Sequence, residues 1–195
     1  MRWVIFLGLT AALPAADLRY WIEPCIRPET GCTAGDPELA EWALRDWQRN
    51  ARGQLRLERA AQRRQAHIRI HWAAANQGLY GEARPFEEDG LKGAEVYILP
   101  DLSAMGPQIA QASAADSLLR DAIVYLTCLH ETGHALGLAH TDRFADIMYS
   151  FVYGGDILEY FGRYRRQLKT RGDIAATTGV SAHDRERLAA ALARR

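Results

Sequence analysis

The spacing of apolar and polar positions changes period several times along the chain, and each change predicts an element. In AHIRIHW (66–72), Ile68, Ile70 and Trp72 alternate with His67, Arg69 and His71. That is the two-residue period of a strand with one buried and one solvated face. LRYWIE (18–23) and GAEVYILP (93–100) read as further strands, the latter closed by Pro100. Elsewhere the period lengthens. Leu39, Trp42, Ala43 and Trp47 form one stripe of a helix over 37–51, with Asp36 as cap and Pro37 at its first position. Ser113 and Asp116 have the spacing of a capping box for a long helix ending near Gly137. Ile123, Leu126 and Thr127 share a side with His130, so this helix is expected to be buried. A second box, Ser181 and Asp184, opens a C-terminal helix that runs through Arg185 and Leu188 to Leu192. The expected class is α+β.

Composition bounds this picture. The chain has 195 residues, 48% of them apolar, with 24 basic against 24 acidic side chains. One domain with a sizeable core fits, over 17–195, with no internal repeat or linker. A balanced charge gives no reason to expect nucleic acid or a membrane surface as partner. MRWVIFLGLTAALPAAD opens with one Arg, an apolar run and small residues. It reads as a signal peptide over 1–16, cleaved near Ala15 or Ala16, too short to span a bilayer. The leader implies a mature protein that is secreted or periplasmic; no cysteine lies at the cleavage region, so no membrane anchor is expected, and the protein is expected to be a monomer. Export permits disulfides. Cys25 and Cys32, in PCIRPETGC, are expected to pair, and Cys128 to be a buried thiol.

HETGHALGLAH (130–140) carries the chemistry. Four residues apart on a helix, His130 and His134 lie on one face, close enough to share a cation. His140 would be rotated by about 240° and carried about 9 Å along the same helix. The helix must therefore stop first, and Gly137 stands where it can, being free to take a left-handed conformation. Three imidazoles with an open coordination position suit one catalytic zinc. Glu131, beside the first histidine, is placed to take a proton from a water made acidic by the metal. Metal-assisted hydrolysis of a peptide bond follows as the expected reaction.

These residues resemble the zinc signature of the metzincin metallopeptidases. In DIMYS, Met148 follows His140 by eight residues, and the Met-Tyr pair is most similar to the matrixin branch, with Ser150 where other branches carry tyrosine. Thr141 replaces the serine common there. The resemblance implies a metzincin-like catalytic domain: a twisted mixed sheet, a long active-site helix, Met148 supporting the zinc from a tight turn, and a C-terminal helix. It implies a peptide or protein substrate extended along a sheet edge, here near 78–83 with Gly78, Leu79, Tyr80 and Gly81. Residues after the methionine, Tyr149 and Ser150, would line the specificity pocket, although YSFVYGG lacks the family's proline. CIRPE has the spacing of the matrixin inhibitory cysteine, but the first strand claims the residues before it, so latency is not assigned.

Other motifs are read plainly. His67 and His71 on a strand are about 13 Å apart and cannot share an ion. The stretch WAAANQGLYGEA shows no equivalent of the family's structural zinc segment, so one zinc is expected. EEDG (87–90) offers oxygens without calcium-loop spacing and reads as a charged turn, so calcium is not supported. EYFGRYRRQLK (159–169) reads as an amphipathic helix with a solvated basic face, and Arg171-Gly172-Asp173 as a turn. Two alternatives stay open: a zinc-binding interaction domain without turnover, and a peptidase acting on cell-wall peptides.

Overall fold

The computed structural model describes residues 15–75 and 81–194. The leader assigned to 1–16 falls almost wholly outside them, as do Gly78, Leu79 and Tyr80. In chain order the elements are strand β1 (Ala16–Ile22), helix α1 (Asp36–Asn50), β2 (Leu55–Arg59), β3 (Ile68–Trp72), β4 (Gly81–Glu88), β5 (Leu91–Ile98), α2 (Pro107–Ala115), α3 (Ser117–Ala135), α4 (Ile157–Arg165) and α5 (Ala182–Leu192). The sheet order is β2-β1-β3-β5-β4. All neighbours pair in parallel except β4, which runs antiparallel to β5 along the edge. The class is α+β, a five-stranded mixed sheet packed with helices.

The core lies where α1 and α3 cross the sheet. Leu39, Ala43 and Trp47 of α1 are fully buried against Ile70, Val96 and Ile123. The Trp47 indole donates to the Leu129 carbonyl at 2.8 Å, and the Tyr125 hydroxyl to Asp46 at 2.8 Å. Two cross-links thus fix α3 against α1. Trp42 departs from the expected stripe: it is only partly buried, with the Arg171 guanidinium over its ring at 4.8 Å.

Two capping assignments are corrected. Asp36 is the first residue of α1 rather than its cap. Its carboxylate accepts from Thr33 N–H at 2.8 Å and from Arg120 of α3 at 2.8 Å, so it serves as a buried tie between helices. The long helix does not begin with a Ser113–Asp116 box. Ser113 lies inside α2 and donates to the Ile109 carbonyl at 2.7 Å. The chain is extended at Asp116, whose carboxylate alone caps α3 through Leu118 and Leu119 N–H at 3.0 Å.

The expected solvated face of β3 is also corrected. Arg69 is 1% exposed, bonded to Glu88 at 2.7 Å and Glu95 at 3.0 Å, and stacked on Phe86 at 3.8 Å. His71 pairs with Glu95, lies 3.6 Å from Glu23 and stacks on Tyr97. His67 accepts from Arg19 N–H at 3.0 Å. β3 is a central strand, and long side chains from its neighbours cover its polar face. The EEDG turn closes the β4–β5 hairpin, with Asp89 and Gly90 both at positive φ (50° and 77°), the geometry of a tight hairpin turn. Arg171, Gly172 and Asp173 form a short 3-10 turn in which Arg171 pairs with Asp121 and Glu38. The 159–169 helix buries Tyr160, Phe161 and Tyr164. Its arginines are mostly engaged, Arg165 with Asp116 and Arg166 with Glu159. Cys25 and Cys32 form a disulfide, and Cys128 is buried and free.

Candidate metal centre

Helix α3 ends at Ala135, and Gly137 follows at φ 96°, a backbone conformation that Cβ-bearing residues rarely adopt. The chain then doubles back. Leu138 N–H bonds to the Gly133 carbonyl at 3.0 Å, and His140 is delivered beside the helix. The Nε2 of His140 lies 3.1 Å from that of His130 and 3.1 Å from that of His134. Among the described residues this is the group of three or more candidate ligands whose donor atoms converge, all within 4.8 Å of one another.

The other ring nitrogens decide the tautomers. His130 Nδ1 lies 2.6 Å from the Ile147 carbonyl, and His134 Nδ1 lies 2.8 Å from the Leu138 carbonyl. A carbonyl only accepts, so each Nδ1 carries the proton and each Nε2 turns a lone pair toward the shared point. Burial pushes all three imidazoles toward the neutral form. His130 falls to about 4, through burial and then its two histidine neighbours; His134 and His140 are lowered in the same direction. Three neutral imidazoles aiming lone pairs at one another suit a borderline divalent cation such as zinc.

The turn beneath the histidines is pinned by several bonds. Thr141 N–H bonds to the Met148 carbonyl at 2.8 Å, and Ser150 N–H to the Thr141 carbonyl at 3.1 Å. Met148 is fully buried under the ligand helix, where a Cβ on Gly133 would overlap its sulfur. Asp184, which also completes the capping box of α5, is fully buried and accepts from Ile147 N–H at 2.8 Å. The Tyr160 hydroxyl donates to the Asp146 and Ile147 carbonyls at 3.0 and 3.1 Å. Ile147, whose carbonyl orients His130, is therefore held through both its N–H and its carbonyl. The roles of Asp184 and Tyr160 here were not read from the sequence. The box was visible, but nothing in SAHD says that its acid also reaches a distant turn.

Glu131 is 7% exposed. Burial raises its carboxyl to about 8, and the nearby Glu82 charge acts in the same direction. A dication beside it would oppose both effects. Next to it opens a cavity of about 200 Å³ whose walls include His130, Glu131, His140, Leu126, Tyr160 and Phe161. Of the expected substrate-contacting residues, Gly81, Tyr149 and Ser150 line this cavity. Leu126 is one helical turn before His130, a position the sequence placed on the right face without marking it as a wall. Cys25 is bridged to Cys32, so its sulfur is not offered to the histidines.

A family model described as Matrixin matches residues 33–158. Comparison with curated proteins finds no match.

Proposed function

The chain belongs to the matrixin family, and from that premise we propose that it is a secreted zinc endopeptidase that cuts polypeptides beside an apolar side chain. Membership makes it a metallopeptidase in general, with zinc as the expected metal and a protein or peptide as substrate. The finer reading rests chiefly on one observation: three Nε2 lone pairs converge next to a buried carboxylate at the mouth of an apolar cavity.

His130, His134 and His140 would hold the zinc. When bound, zinc supplies a Lewis acid that polarises the scissile carbonyl and makes water acidic near neutral pH. The chain's own residues do the rest. Glu131 takes the proton of the attacking water and hands it to the leaving amine. The Ile147 and Leu138 carbonyls keep two imidazoles in the required tautomer. The apolar walls, among them Leu126, Tyr160 and Phe161, exclude water and receive one side chain of the substrate next to the bond that breaks. Export by the 1–16 leader fits the disulfide, since such bonds persist in oxidising compartments.

The test is a pair of variants with metal content measured beside hydrolysis of a mixed peptide library. Glu131→Ala keeps one equivalent of zinc and loses roughly 10²–10⁴-fold in kcat, the usual worth of a positioned acid–base group. His134→Ala loses metal and activity together. Full activity in Glu131→Ala refutes the mechanism. A wild type that binds zinc yet cleaves nothing in the library points to the interaction domain instead. The N-terminus of protein recovered outside the cell tests cleavage of the leader, and one beginning at Met1 would sink it.

A further inference from the structure

The Glu131 carboxylate packs against the start of β4. Gly81 is the first residue of this strand and pairs in register with Ile98 of β5, so the ladder fixes its backbone. A Cβ placed on Gly81 would lie 2.5 Å from Glu131 Oε1, 2.8 Å from Cγ and 2.9 Å from Cδ. The three nearest atoms all belong to one side chain, and all lie closer than carbon and its neighbours tolerate.

From this geometry we infer that Gly81 is a positioning residue for Glu131: its missing side chain is the space the carboxylate occupies. The reason for glycine here is room, not backbone conformation, since Gly81 is not among the residues of positive φ. Gly81, expected on the sheet edge as a substrate contact, thus acts through Glu131. Any Cβ there must push the carboxylate away from the strand. The strand cannot yield easily, because β4 is paired along its whole length. The side chain of Glu131 is the softer partner, so the fold should survive while the proton acceptor moves. This inference rests on the reading of Glu131 as the general base, and its test keeps the two apart.

The experiment is a double-mutant cycle of Gly81→Ala and Glu131→Ala, with zinc affinity and thermal midpoint measured on each variant. Gly81→Ala should lower kcat by about 10–10²-fold, the scale of an ångström-sized misplacement, with KM, zinc affinity and midpoint nearly unchanged. In the Glu131→Ala background the same change should cost nothing more. A kcat within twofold of wild type overturns the inference. An equal loss in both backgrounds also overturns it, and would mean that Gly81 acts on the substrate or the metal. Crystal structures of wild type and Gly81→Ala supply a readout independent of turnover. The carboxylate should be displaced in the variant, and an unmoved carboxylate refutes the role even if the wild type hydrolyses nothing.

Discussion

At the scale of single residues, the site is an arrangement of exclusions as much as of ligands. Gly133 lies between the two helical histidines, where a Cβ would overlap the Met148 sulfur and lie 2.9 Å from Trp47. Gly133→Ala gains helix propensity of roughly 1 kcal/mol. It also overpacks a filled core, at a cost of about 1–3 kcal/mol. We expect a net fall in the thermal midpoint and faster loss of zinc to a chelator, because Met148 and the turn carrying Ile147 must shift. An unchanged midpoint and metal off-rate would show that the turn can give. The ligands were legible because each is a specific atom at a specific spacing: His130, His134, the break at Gly137, then His140. Gly81 and Gly133 were not, because a sequence does not show which neighbour occupies the space a glycine leaves.

At the scale of elements, the legible pieces were those with one clean periodicity. β1, β3, β5, α1 and α5 were anticipated within a few residues. β4 was not, since GEARPFEE carries Pro85 and four charges, the composition of an edge strand rather than of a core one. The helix of 159–169 was recognised, but only the structure shows that its Tyr160 lines the cavity beside the three histidines. Together α3 and α4 therefore set what the cavity accepts. Leu126→Trp should fill much of its 200 Å³. Cleavage next to large apolar residues should fall at least about tenfold while cleavage next to alanine persists, a discrimination within the range of hydrophobic pockets. A library profile identical to wild type would mean that the cavity does not receive a substrate side chain.

At the scale of the molecule, buried and half-buried carboxylates link the layers and make stability depend on pH. Burial opposes the charge of Asp146, yet the bonds from His183 and Ser181 outweigh it and hold its carboxyl below the usual range. Glu95 behaves alike between Arg69 and His71, and Asp116 between the start of α3 and Arg165. A depressed folded-state pKa gives stability that is present above the unfolded value and lost as pH falls through the folded one. The thermal midpoint should therefore drop below about pH 4, and Asp146→Asn should flatten that acid limb while lowering the plateau. A midpoint that is level down to pH 3 would contradict this. The partners His183 of Asp146, Arg69 of Glu95 and Arg165 of Asp116 were not readable from the chain, because each joins elements far apart in sequence. Asp184 reaches from α5 back to the turn beneath the three histidines. A ribosome makes the three histidines well before it makes that aspartate. Until α5 has emerged and docked, the newborn chain carries the three histidines without the buried acid that pins the turn beneath them.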